Sequence, residues 1–140
     1  MSTAYEQDQY QYQRSFRKPE IPRSGALAEK AMYIMQADSE WKVAIDELLG
    51  IRNYENNFDG EDSTAPPVEL VDTALRFSAQ LKNDLIPAPH RVSATVNQKV
   101  LFEWYFPLIY HSLEFVSPTN VEATWIPKDA TEAVIHKVLV

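Results

Sequence analysis

No cysteine occurs anywhere in the 140 residues. That absence excludes disulfides, thiolate metal sites and cysteine nucleophiles, and it suits a reducing compartment such as the cytoplasm. Glycine is nearly as scarce, with only Gly25, Gly50 and Gly60 present. Phosphate-cradling loops need clustered glycines so that backbone amides can approach the ligand, and neither of the phosphate fingerprints can be built from three scattered ones. No apolar run approaches the ~20 residues of a membrane-spanning helix. The segment from Met1 to Glu6 lacks the basic start and apolar core of a secretory signal. Histidine is limited to His90, His111 and His136, none at paired-ligand spacing. Asp59, Glu61 and Asp62 lack the alternation and following glycine of a calcium loop, so no metal or cofactor is expected. The strained G-x-S-x-G elbow of a serine nucleophile is also missing.

What is present fits one soluble domain: 45% hydrophobic and 24% charged residues, enough for a core without staples. The net charge of −7 is spread unevenly. Residues 1–24 carry four bases against three acids, residues 25–90 twelve acids against five bases, and residues 91–140 five acids against four bases. An acidic surface repels phosphate backbones, which argues against nucleic-acid binding and for a basic partner or plain solubility.

Residues 1–24 read as a flexible tail in which Tyr5, Tyr10 and Tyr12 alternate with glutamines, leaving too little aliphatic surface to offset the entropy of ordering. Such a tail suits an arm that contacts a neighbouring chain or adds a strand to its sheet edge. Residues 25–140 read as a single domain. Ser24 is placed to cap a helix in which Leu27, Ala31, Ile34 and Met35 repeat at helical spacing. Trp41, Ala44, Ile45, Leu48 and Leu49 continue as an amphipathic stripe, with Gly50 placed to end it. Whether Asp38 and Ser39 divide this stretch into two helices is left open by the pattern. A polar loop follows over 51–65, and Ser63 or Thr64 is a candidate cap for a helix carrying Leu70, Ala74, Phe77 and Leu81, which Asp84 ends before Pro87.

After Pro89 the period becomes two. Strands are expected over 90–96, 99–106, 108–116 and 121–126, with turns at Asn97-Gln98 and Ser117–Asn120. Residues 133–140 fit a strand or a short helix. The expected fold is therefore α+β: two or three N-terminal helices packed on an antiparallel meander of three to four strands.

Glu103 is the carboxylate of most interest, because it interrupts an apolar strand. It shares a face with Leu101 and Tyr105, opposite Val100, Phe102, Trp104 and Phe106; buried, it needs a partner such as an arginine. His111, taken with Glu114 on one strand face, offers acid–base chemistry, against the alternative of an exposed strand histidine. The central strands carry apolar residues on both faces, with Ile109 and Leu113 set against Leu108, Tyr110 and Phe115. A sheet covered on one side usually shows water a polar face, so one face is expected to meet another chain, as a homodimer or with another protein. Trp104, Tyr105, Tyr110, Glu103 and His111 are the candidate interface residues.

Asn57-Phe58-Asp59-Gly60, then Ala65-Pro66-Pro67, Ala74-Leu75-Arg76-Phe77, Pro87-Ala88-Pro89 and Leu101-Phe102-Glu103-Trp104, resemble a group of small bacterial proteins with an Asn-Trp-Asp-Gly motif, a proline-started helix and a Leu-Glu-Trp strand. The resemblance spans roughly residues 45–116. The chain departs from the group in having Phe58 for the tryptophan and a longer stretch before Ala65. No activity is established for the group, so the resemblance implies an architecture and no catalytic role. Physically, Asn57 and Asp59 can bond nearby amides, Gly60 permits the turn, and Phe58 is expected to plug the core. The function expected is a small acidic interaction module, of antitoxin, immunity or inhibitor kind. The alternatives are a small-ligand binder or enzyme using Glu103, His111 and Asp59, and an assembly subunit using the tail.

Overall fold

A computed structural model describes residues 27–129 and 134–139. The tail expected over 1–24 and the cap expected at Ser24 lie outside them. Two helices, α1 (Leu27–Arg52) and α2 (Val68–Asn83), precede five strands: β1 (Arg91–Ala94), β2 (Val100–Tyr105), β3 (Ile109–Ser117), β4 (Asn120–Pro127) and β5 (Val134–Leu139). The strands form one antiparallel sheet in chain order, β1-β2-β3-β4-β5. The class is α+β as expected, but the sheet has five strands rather than three to four. The difference is the C-terminal segment: Val134 pairs with Trp125 and Val138 with Val121, so neighbouring hydrogen bonds settle a stretch whose local pattern fitted either element.

Asp38 and Ser39 do not break α1, which runs unbroken for 26 residues and ends two beyond Gly50. Its two exposed ion pairs to α2 show how the helices run. Arg52 meets Asp72 near the start of α2, and Lys82 meets Asp38 at its end, so the helices are antiparallel. At 1.5 Å per residue α1 is about 39 Å long and α2 about 24 Å, so α1 outruns its neighbour. Among the described residues the buried ones of α1 are beside α2: Trp41, Ala44, Leu48 and Ile51. Ala31, Ile34 and Met35, expected as an apolar stripe, are exposed because α2 ends before reaching them.

Helix α2 starts after Pro67, with no side-chain cap, since Ser63 is engaged elsewhere. It ends at Asp84, as expected. Leu85 then takes a left-handed φ of 60°, and the Ile86 amide donates to the Leu81 carbonyl at 2.9 Å, closing the helix end on itself. Two tryptophans bolt down the following proline-rich stretch. Trp41 Nε1 donates to the Ile86 carbonyl at 2.9 Å and Trp104 Nε1 to the Pro87 carbonyl at 2.8 Å. This joins α1, the linker and β2 in one contact and delivers Arg91 to the edge of the sheet.

Register assigns the paired strand residues to faces, with a shift between Phe115 and Ser117 on β3. On the helix side Val92, Phe102, Leu113, Ala123 and His136 form one row, and Trp104, His111, Trp125 and Val134 the next. Phe102, Phe115 and Phe77 of α2 pack edge to face, with centroids 4.9 and 5.6 Å apart. Phe115 thus faces inward with Ile109 and Leu113, whereas Tyr110 faces outward, correcting the strand faces expected for β3.

Candidate functional site

The outer face of the sheet, away from the helices, carries an organised polar group. Arg91, Glu103, Ser112, Thr124 and Ile135 cross it in one row, and Tyr105, Tyr110 and Ile126 in the next. Glu103 lies at the centre and is only 8% exposed. Its Oε2 accepts hydrogen bonds from the Tyr105 hydroxyl at 2.6 Å and the Tyr110 hydroxyl at 2.9 Å. The two rings are 5.5 Å apart and tilted by 49°. Oε1 faces the guanidinium of Arg91 at 4.0 Å, too far for a hydrogen bond.

This geometry follows from strand pleat and cross-strand pairing. Glu103 and Tyr105 are two apart on β2, hence on one face, and Tyr105 stands directly across from Tyr110. The Tyr105 amide donates to His90 Nδ1 at 2.8 Å, continuing the ladder with a side chain where the backbone pairing of β1 stops. Burial, then the bond to the Glu103 carboxylate, pushes the Tyr110 hydroxyl up to about 12. The bond to Glu103, then burial, raises Tyr105 as well. Both phenols therefore stay protonated donors, and the carboxylate they hold is fixed in position.

The five candidate interface residues do not share a face. Glu103, Tyr105 and Tyr110 are together on the outer side, whereas Trp104 and His111 are fully buried on the helix side. Trp104 is a core anchor, and His111 packs 6.1 Å from Phe106 and 6.3 Å from Trp125, ring to ring. Burial pushes the His111 imidazole down to about 4. The pairing of His111 with Glu114 fails for a simple reason: they lie three positions apart on β3, an odd offset, so pleat sends them to opposite faces. Glu114 instead meets Lys99 on the outer side at 3.3 Å. Nor is His111 an exposed strand histidine. Glu103 and His111 reach opposite sides of the sheet and share no pocket, and Asp59 belongs to a separate loop.

That loop, over Asn57 to Ser63, is an internally bonded turn. Asn57 Oδ1 accepts from the Asp62 amide at 2.8 Å, Asp59 Oδ1 from the Glu61 amide at 2.9 Å, and Asp59 Oδ2 from the Ser63 hydroxyl. The Ser63 hydroxyl, then the Glu61 amide, hold the Asp59 carboxyl below its usual range. Asn57, Gly60 and Asp62 all have positive φ, 65°, 77° and 62°. Phe58 does not plug the core. It is half-buried and stacks on Tyr54 at 4.9 Å, because the turn faces it outward along the end of α1.

Arg91, Ile126 and Ile135 were not singled out from sequence, although pairing the apolar faces of β1 and β2 would have set Arg91 across from Glu103. Among the described residues no three His, Asp or Glu side chains gather as a metal site, and no helix is long and apolar enough to cross a membrane. Comparison with protein-family models, curated proteins and solved structures finds no match to this chain.

Proposed function

We propose that this chain is a small acidic protein-interaction module that docks a basic partner protein on the outer face of its sheet, in the manner of an antitoxin, immunity protein or inhibitor. The observation that carries the reading is the outer face itself. Tyr105 is 52% exposed there beside a carboxylate already fixed by two phenols, and Ile126 and the 61%-exposed Ile135 continue the apolar surface across β4 and β5. Rigid aromatic anchors around a nearly desolvated charge are the composition of binding hot spots. The net charge of −7, concentrated in residues 25–90 rather than on this face, adds long-range attraction for a basic protein.

The test is co-purification from the native host at low and moderate salt, using the intact chain and a Tyr105→Asp/Ile135→Asp double variant. The expected result is one basic protein in stoichiometric amount, weakened by salt and lost from the variant. Recovery of the chain alone, or equal capture by the variant, refutes the reading. Sedimentation of the purified chain separates the remaining case: a dimer dissolved by the same two substitutions assigns the face to a second copy.

A further inference from the structure

We infer that the Glu103–Tyr105–Tyr110 cluster is a receptor for an arginine side chain of the partner, an inference that rests on the docking reading above and names its anchor. Three features point to a guanidinium rather than to any cation. First, the carboxylate is built in: Glu103 is 8% exposed, and Oε2 is held at 2.6 and 2.9 Å by hydroxyls that donate to it. Oε1 keeps its acceptor capacity, since Arg91 approaches it only to 4.0 Å. Second, two tilted phenol rings 5.5 Å apart flank the carboxylate, offering faces on which a planar, weakly hydrated guanidinium stacks and a compact ammonium does not. Third, the other outer-face carboxylates are already matched, Glu114 with Lys99 at 3.3 Å and Glu122 with Lys137 at 3.5 Å. Among the described residues the basic group facing Glu103 is Arg91, 4.0 Å away and with its side chain 64% exposed.

Arg91 therefore acts as an in-chain stand-in. Its guanidinium stands at the mouth of the site, bonded to the Tyr105 side chain but 4.0 Å from Oε1, so an incoming arginine that reaches Oε1 has only this exposed contact to displace. The arrangement also favours release, because Arg91 returns when the partner leaves.

The test uses two capped pentapeptides, Gly-Gly-Arg-Gly-Gly and Gly-Gly-Lys-Gly-Gly, titrated into the full chain with amide and tyrosine-ring NMR shifts as readout. The arginine peptide is expected to shift Tyr105, Tyr110 and Arg91, and to bind severalfold more tightly than the lysine peptide. In Glu103→Gln, which keeps an acceptor for both hydroxyls and hence the fold, binding should weaken by about tenfold or more, the cost of losing a charge-assisted pair. Arg91→Ala should bind more tightly than the intact chain. Equal binding of both peptides, full binding by Glu103→Gln, shifts confined to the acidic 55–62 loop, or weaker binding by Arg91→Ala would each overturn the inference. If the double variant above still loses its partner while the peptides fail here, the docking face stands and the arginine anchor falls.

Discussion

Acidifying from pH 7 to pH 5 should cost this fold about 2 kcal/mol through His111 alone. The imidazole is buried beside Phe106 and Trp125, and burial depresses its pKa from 6.5 to about 4. The direction follows from where the proton goes. Below 6.5 the unfolded chain takes it up, whereas the folded chain refuses it until about pH 4. Stability therefore rises with pH across that window and is complete above it. At ~1.4 kcal/mol per unit, the loss reaches about 3 kcal/mol by pH 4, most of it already felt at pH 5. Asp59 and Asp72, held below 3.8 by Ser63 and Arg52, lose their contribution mainly at lower pH. The assay is urea unfolding at pH 7, 6 and 5 for the intact chain and for His111→Leu, which keeps volume without a titrating group. The expected result is a falling midpoint in the first and a nearly flat one in the second. Equal pH slopes in the two would refute burial of a neutral imidazole.

Three further outcomes are expected. In tyrosinate absorbance titrations, Tyr110 should ionise near pH 12, and Glu103→Gln should lower the pKa values of both Tyr105 and Tyr110 while burial keeps Tyr110 above the ordinary 10. Phe102→Ala should destabilise by about 3–5 kcal/mol in denaturant unfolding, since a fully buried ring between Trp104 and Phe115 leaves a cavity that the sheet cannot collapse. Gly60→Ala should cost about 1 kcal/mol from its φ of 77° alone, because a Cβ there meets nothing within 4 Å; a neutral result would show that the loop relaxes.

Sequence by itself determined much of this protein. The switch from helical to two-residue period after Pro89 located the strands, because side-chain alternation is a local property of extended chain. The same alternation assigned Glu103 to the face of Tyr105, opposite Phe102 and Trp104. The bonding of Asn57, Asp59 and Gly60 was equally legible, since those partners lie within a few residues. What only the tertiary structure decided were long-range matters. The length of α2 decided which half of α1 is core, leaving Met32 and Met35 about 70% exposed. Pairing with β4 made the last segment a strand. The turn between Tyr105 and Tyr110 sent His111 inward beside Trp125 and brought Tyr110 over the Glu103 carboxylate. Register across a turn is set by how two whole apolar faces match the helices above them, so no local pattern could place those side chains.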